Sequence, residues 1–271
     1  MRVIYTNSQM SIHFRDLTSP QIKAAADAGT LLLLPLAQTE EHGNHLPVGT
    51  DTFIAEHVCD ATARRLSPKV PTLVLPPIEY GYSGKVMTQW AGTFTIPPRL
   101  MIELIVEINK SVIAMGFRKI IIVNTHGHHQ HLAVVAAREI ADATGVDVAV
   151  LMPNNLIGKE FNEIRKSPPG GACHGGEYET SLVMHFGHDV DLSRADKSDF
   201  LKDSSEFCSN DMLAGGGKDF WSTWYRQPSN HGIYGDPTVA SADTGKKTFD
   251  AIIEKMVAFC TEFHRFIPSS S

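Results

Sequence analysis

Two short, strongly apolar runs constrain the fold of this chain more than any other feature. Leu31–Leu36 and Lys119–Asn124 have the length of strands and the composition typical of strands that are buried on both faces. Patterns with helical spacing lie between and after them. Because the predicted strands alternate with predicted helices, the sequence indicates an α/β fold whose largely parallel sheet is covered on both faces.

The predicted elements follow one another regularly through most of the chain. Predicted strands cover Thr30–Leu36, Val70–Leu75, Lys119–Asn124 and Val146–Met152. Predicted helices run over Ser19–Ala28, Asp51–Leu66, Leu100–Met115, Leu132–Ala143, Glu177–Phe186 and Thr244–Phe263. A chain of 271 residues with 42% hydrophobic residues can bury one substantial core, so we expect a single domain over residues 1–271.

An irregular insertion at about residues 195–242 interrupts this order. It contains Gly215–Gly217 and the aromatic cluster Phe220–Tyr225. Loops of this length are usually functional, form subunit contacts or are disordered, and the aromatic content argues against disorder. We expect the cluster to help form a subunit contact, with packing inside its own chain as the alternative.

Charge and cysteine content exclude several classes of protein. The net charge is −6 with acids and bases interspersed, which gives no sign of a nucleic-acid surface. No apolar run approaches the length of a membrane span, and the amino terminus lacks the apolar segment of a signal peptide. The four cysteines form no Cys-x-x-Cys pair, so we expect reduced thiols in a cytoplasmic protein.

A glutamate, a histidine and an aspartate follow the first buried run, at Glu40, His42 and Asp51. Open α/β sheets place their ligand sites at the carboxyl edge of the strands. Carboxylate oxygen and imidazole nitrogen form a mixed ligand set that suits Zn²⁺, Mn²⁺ or Fe²⁺. Each residue has an ordinary alternative: Asp51 could cap a helix, and the other two could be solvated loop residues. Their joint position after a buried strand favours a metal site.

Two further clusters of histidine and glutamate follow the same logic. His126-Gly-His-His129 comes after the second buried run, and spacing does not decide which imidazole faces the cleft. His174-Gly-Gly-Glu177 precedes a helix, where Glu177 could instead be an acid favoured by the helix dipole. Cys173 is better interpreted as a small buried hydrophobe than as a nucleophile. We therefore expect a metal-dependent enzyme.

Taken together, these stretches resemble the creatininase (creatinine amidohydrolase) family. The matching segments are Glu40–Pro47 with Asp51, Tyr80–Ser83 with Gly92-Thr93, Asn124–Gly127, and His174–Ser181. The resemblance implies a three-layer α/β/α sandwich with a mostly parallel central sheet. It also implies a homo-oligomer, often a hexamer, with two divalent ions at the carboxyl edge of the sheet.

The resemblance further implies roles for individual residues. Glu40 and His126 would hold one ion, His42 and a carboxylate the other, and Asp51 would bridge them. Creatininase proper has that carboxylate at the position of His128, so we assign it here to Glu177, which matches the glutamate of a His-x-Gly-Glu motif. The catalytic proton would be transferred by His174. Substrate contacts are expected from His45, His128 and His129.

The expected reaction is the hydrolytic opening of a small cyclic amide by a metal-bound hydroxide. Creatinine itself is disfavoured, because Gly170-Gly171 and Cys173 stand where the family's creatinine-binding flap has Trp-Asp. One alternative is the opening of a C–C bond in an oxidised cyclic polyol such as a keto-inositol. A non-catalytic metal-binding protein and a thiol-dependent hydrolase using Cys173 are the alternatives from other classes.

Overall fold

The computed structural model describes residues 11–67, 69–200, 211–213 and 229–266. Its strands are β1 (Leu31–Leu36), β2 (Thr72–Val74), β3 (Lys119–Asn124) and β4 (Val148–Leu151). Its α-helices are α1 (Ser19–Asp27), α2 (Thr50–Leu66), α3 (Pro98–Ala114), α4 (Gln130–Thr144), α5 (Gly158–Ile164), α6 (Glu177–Phe186) and α7 (Ala242–Phe266). Every predicted strand and helix is present, and α5 was not predicted.

The four strands form one parallel sheet in the order β2-β1-β3-β4. The two apolar runs of the sequence are therefore the two central strands. They pair along their whole length, from Leu31 with Lys119 to Leu36 with Asn124. Because Leu36 and Asn124 are register partners, the loops that follow β1 and β3 leave the sheet side by side.

Successive residues of the central strands point to opposite faces of the sheet, and each face has its own core. On one face, Leu33 and Ile121 pack with residues of α2, α5, α6 and α7. On the other face, Leu32 and Ile120 pack with residues of α1, α3 and α4. The predicted α/β/α sandwich is thereby confirmed.

Helix boundaries follow from local chemistry. A capping box between Thr18 and Gln21, with proline inside the first turn, starts α1. Gly145 ends α4 and Gly187 ends α6, both in the left-handed conformation that glycine adopts without strain. None of the described helices combines the length and the apolarity that a membrane span needs.

Much of the predicted insertion lies outside the described residues, including the aromatic cluster Phe220–Tyr225. Three of its segments are described, residues 195–200, 211–213 and 229–242. The second and third contact the loop that carries His174, through backbone hydrogen bonds from Met212 to Ala172 and from Tyr234 to His174. The subunit contact expected of the aromatic cluster remains a prediction.

Candidate metal centre

Three segments bring acids and imidazoles to the carboxyl edge of the two central strands. The loop after β1 carries Glu40 and His42, the turn after β3 carries His126, and the first turn of α2 carries Asp51. The hydroxyl of Thr125 donates to the Asp51 carbonyl at 2.9 Å, which joins the turn after β3 to the start of α2. The site is therefore assembled by the pairing of β1 with β3 and by the entry of α2.

Asp51 lies between two imidazoles. One of its carboxylate oxygens, Oδ2, is 3.0 Å from His126 Nδ1, and the other, Oδ1, is 3.5 Å from His42 Nε2. The residue is buried, and Gly49 rather than Asp51 occupies the N-cap of α2. Its carboxylate is thus directed into the site, with one oxygen toward each imidazole. This is the arrangement expected of a carboxylate that bridges two ions.

Glu40 and His126 belong to the first candidate ligand group, and Asp51 contacts His126 beside it. Glu40 Oε2 lies 3.4 Å from His126 Nδ1, and the Ser83 hydroxyl donates to the other carboxylate oxygen of Glu40. His128 is close enough to Glu40 and His126 to complete a three-residue group. Ser83 lies in a segment that matches the family pattern, but its sequence position alone did not indicate a contact with Glu40.

His42 and Glu179 form the second ligand group with Asp51. Glu179 Oε2 lies 3.8 Å from His42 Nε2 and accepts a hydrogen bond of 2.7 Å from the Gly175 amide. The Nδ1 atom of His42 is 3.0 Å from the Glu40 carbonyl. If Nδ1 donates that bond, the lone pair of Nε2 faces two carboxylates, which is the tautomer that a metal ligand requires.

The structure does not place Glu177 where the sequence assigned it. Its buried carboxylate accepts hydrogen bonds from the backbone amides of Lys166, at 2.8 Å, and of Ser167, at 2.7 Å. It belongs to none of the candidate metal groups found among the described residues. Two positions along a helix correspond to a rotation of about 200°, so Glu177 and Glu179 face nearly opposite directions. Spacing could not tell which of them faces the cleft, and the candidate group contains Glu179 rather than Glu177.

His174 is a member of a third candidate group, with Glu40 and His42. Its Nε2 atom is 2.8 Å from the backbone carbonyl of Glu41, and its Nδ1 atom is 3.6 Å from Glu40 Oε2. The His174 and His42 rings are 4.3 Å apart between centroids. Since a bond from Nε2–H to the carbonyl leaves Nδ1 as the free basic atom, His174 presents that atom to the site.

Of the three histidines expected to contact substrate, one lies beside the ligand groups. His128 Nδ1 accepts a hydrogen bond of 3.0 Å from the Gly84 amide, which leaves Nε2 to carry the proton in the neutral ring. Burial, together with the charges of His126 and His174, lowers the pKa of His128 to about 3. His128 is therefore a neutral hydrogen-bond donor rather than a convincing ligand.

The other two histidines do not support their predicted role. His45 is buried and its Nε2 atom is 2.9 Å from the hydroxyl of Thr180 on α6. His129 is fully buried against the His126 ring, 4.6 Å away between centroids. Because neither side chain reaches an open surface, we interpret both as structural supports of the loops that carry the ligands.

The buried carboxylates of the centre favour a bound cation. Burial lowers the pKa of His42, but the carboxylates of Asp51, Glu179 and Glu40 outweigh it and raise the pKa to about 10. Burial raises the pKa of Asp51, but His42 and His126 hold it well below its usual range. With several acids facing the same imidazoles, the site favours bound protons or metal ions in their place.

Unsatisfied polar atoms point to the same conclusion. Among the described residues, His42 Nε2 and Asp51 Oδ2 are buried and make no hydrogen bond of good geometry, although each faces a group of opposite charge in the site. Buried polar atoms without partners are rare in folded proteins and call for an explanation such as an ion. Carboxylate oxygen and imidazole nitrogen are suitable donors for Zn²⁺ or Mn²⁺. The residues present therefore fit divalent metal ions at this edge of the sheet.

Comparisons with known proteins identify the family and the fold of this chain. The family model of creatininase, described as creatinine amidohydrolase, matches residues 15–260. The chain is 31% identical over 251 residues to a mycofactocin precursor peptide peptidase of Mycobacterium tuberculosis, covering 89% of this chain and 87% of that protein. It is 25% identical over 260 residues to 3-dehydro-scyllo-inosose hydrolase of Thermotoga maritima, covering 90% and 80% of the two chains. A mutant creatininase structure described as "Zn-Zn type" superposes with a TM-score of 0.78 at 21% identity, over 94% of this chain and 98% of that one.

Proposed function

Because this chain belongs to the creatininase family, we propose that it is a metal-dependent hydrolase that cleaves an amide C–N bond. The observation that carries the proposal is the position of Asp51, whose two oxygens face the imidazoles of two separate ligand groups. A centre that shares one carboxylate in this way suits hydrolysis, since two adjacent divalent ions can activate one water molecule and polarise a carbonyl. The "Zn-Zn type" creatininase, which shares this fold, is consistent with a pair of ions.

We assign the protein ligands to two sites. Glu40, His126 and Asp51 would hold one ion, and His42, Asp51 and Glu179 the other. The Ser83 hydroxyl fixes the orientation of Glu40, and the Gly175 amide fixes that of Glu179. Supporting bonds of this kind orient ligands and are typical of metal sites.

His174 would move the proton that the leaving nitrogen needs. Its Nε2–H is directed to the Glu41 carbonyl, so Nδ1 is free to take a proton from the attacking water and to deliver it to the amide nitrogen. Burial and His42 lower the pKa of His174, but Glu41 and Glu40 outweigh them and raise it. His128, with its proton on Nε2, would donate a hydrogen bond to a substrate oxygen.

A small cyclic amide is the substrate class we propose first, with a short peptide second. Both contain the amide carbonyl and nitrogen that this centre is suited to attack. A peptide is supported by the relatives that are named mycofactocin precursor peptide peptidase. The relative named 3-dehydro-scyllo-inosose hydrolase supports a third class, an oxidised cyclic polyol.

The remaining alternatives are less consistent with the geometry. A thiol hydrolase would need Cys173 as nucleophile, but this residue is buried in an apolar cluster with Val86, Met87 and Tyr234. A non-catalytic metal protein needs closed coordination, whereas here a free basic atom of His174 lies beside the ligand groups.

The test is turnover by metal-reconstituted protein against three matched panels: cyclic amides, short peptides and keto-cyclitols. Chelation should abolish activity, readdition of Zn²⁺ or Mn²⁺ should restore it, and a thiol reagent should leave it intact. Turnover of C–N substrates that survives chelation would refute the proposal. Turnover of the keto-cyclitol panel alone would move the reaction to C–C bond cleavage.

A further inference from the structure

The loop between α5 and α6 carries His174, and the placement of this histidine depends on what holds the loop. Glycines at 170 and 175 adopt φ values of +95° and +64°, a conformation that glycine adopts without strain. Two buried carboxylates supply restraints from outside. Glu177 binds the amides of Lys166 and Ser167, as described above.

The second carboxylate is Asp211, which the irregular insertion contributes. Its Oδ2 atom accepts hydrogen bonds of 2.6 Å from the Gly170 amide and of 2.6 Å from the Arg165 guanidinium. Its Oδ1 atom accepts a hydrogen bond of 3.0 Å from the Leu213 amide. Both charged side chains are buried, with exposed fractions of 6% for Arg165 and 0% for Asp211.

Arg165 extends this contact along the start of the loop. Its Nε donates to the Ser167 carbonyl at 2.9 Å and its Nη2 to the Pro168 carbonyl at 2.7 Å. The guanidinium fork therefore binds one acid and two carbonyls together, which a lysine ammonium cannot do with the same geometry. The Met212 amide adds a bond of 3.0 Å to the Ala172 carbonyl, two residues before His174.

Stability alone does not explain such a pair. A buried ion pair is often no more stabilising than apolar residues of the same volume, because removing both charges from water is costly. Its hydrogen bonds instead select one conformation for the backbone they join. Here that backbone is the glycine-containing loop whose histidine must lie within reach of the metal groups.

We infer that Asp211 and Arg165 form a positioning pair, through which the insertion sets the distance between His174 and the metal centre. This inference rests on the proposed function for its catalytic consequence, but not for its effect on loop order. It gives the insertion a role in the active site of its own chain.

The experiment compares three metal-reconstituted full-length variants with the wild type. Asp211→Asn removes the charge and keeps the shape, and Arg165→Lys keeps the charge and removes the fork. Glu160→Gln is the matched control, since it breaks a half-exposed ion pair from α5 to Lys255 that does not contact the loop. We measure kcat, KM, metal content and amide hydrogen exchange by mass spectrometry over residues 168–176.

Both test variants should keep their ions and their KM and lose about 10- to 100-fold in kcat, the loss expected when a catalytic group is displaced by about 1 Å. Exchange over residues 168–176 should accelerate in both, while Glu160→Gln behaves as wild type. A lower melting temperature with unchanged kcat and unchanged exchange would overturn the inference, as would an equal kcat loss in Glu160→Gln.

The wild type provides a test that needs neither variant folding nor turnover. If Asp211 holds the loop, the Gly170 amide exchanges slowly in the metal-loaded wild type, and rapid exchange would overturn the inference. Absence of hydrolysis by a wild-type protein with a slowly exchanging loop would instead count against the proposed function. Failure of the inference is thereby distinguished from failure of the proposed function.

Discussion

Glu40, His42 and His174 each have one side-chain atom bound by the protein and another directed into the candidate metal centre. Ser83 occupies one oxygen of Glu40, the Glu40 carbonyl occupies Nδ1 of His42, and the Glu41 carbonyl occupies Nε2 of His174. These bonds select the rotamer and the tautomer of each group before a ligand arrives. The centre is therefore preorganised for a cation at the scale of single atoms.

Glu179 and Glu177 offer a direct comparison at this scale. Glu179→Gln should weaken binding of the second ion by about 10- to 100-fold, since the Glu179 carboxylate faces His42 in the site. Glu177→Gln should leave metal affinity nearly unchanged, because its carboxylate binds backbone amides instead. Titration of both apoproteins with Zn²⁺ measures these affinities. A larger loss of Zn²⁺ affinity in Glu177→Gln than in Glu179→Gln would restore the sequence-based assignment.

His174 can be tested as a proton carrier rather than a ligand. His174→Asn should retain both ions and lose about 10²- to 10⁴-fold in kcat, the usual range for removal of a general acid–base group. Substrates with better leaving groups should lose less, because they need less protonation. Loss of metal from this variant would make His174 a ligand, and normal turnover would place the proton transfer elsewhere.

At the scale of elements, Glu177 stabilises the junction between α5 and α6. Glu177→Ala would leave the amides of Lys166 and Ser167 without their acceptor, at a cost of about 1–3 kcal/mol for the buried Ser167 amide. Urea denaturation of the chelated protein should show this loss of unfolding free energy. A variant as stable as the wild type would show that another acceptor takes over.

The sequence predicts the bounds of a central strand more accurately than those of the edge strands. The central strand Lys119–Asn124 was predicted to the residue, since it is buried on both faces and bonded on both edges. The edge strands were predicted too long, Val70–Leu75 for Thr72–Val74 and Val146–Met152 for Val148–Leu151. Each edge strand pairs with one neighbour only, and its apolar sequence continues beyond the residues that pair.

Other features escaped prediction for different physical reasons. Helix α5 has seven residues with only Phe161 buried, too short for a helical pattern to emerge. The proximity of the acids and imidazoles in the β1 and β3 loops could be predicted, because both loops follow recognisable strands. Glu179 and Asp211 could not, since their roles depend on the rotation of α6 and on a contact with a residue far away in sequence.

At the scale of the whole molecule, the centre joins both central strands, the start of α2, the start of α6 and the described parts of the insertion. Because the carboxylates of the centre raise the pKa of His42, the stability of the metal-free protein should depend on pH. The oligomeric state and cytoplasmic location remain predictions, which light scattering and fractionation of the source cells would check.

The metal-free protein should become less stable as pH rises above neutrality. The pKa of His42 is raised from 6.5 to about 10, so its stabilising contribution is present below pH 6.5 and is lost as pH approaches 10. The lowered pKa of Asp51 contributes stability that is lost only in acid, where that carboxylate becomes protonated, so this contribution stays constant across the window. In the loaded protein the ions replace the protons.

Melting temperatures of chelated and reconstituted protein, measured from about pH 7 to about pH 10, should therefore diverge by several degrees. His42→Gln is the control, because it removes the group whose proton is lost and should flatten the curve of the chelated protein. Parallel curves for the chelated and loaded wild type would contradict this account.

Elemental analysis of the purified protein tests most directly the claim that two ions share Asp51. We expect two divalent ions per chain in the wild type, loss of one in His42→Ala, and loss of both in Asp51→Ala, because only Asp51 faces both imidazoles. A single ion in the wild type, or full occupancy in Asp51→Ala, would contradict the shared centre.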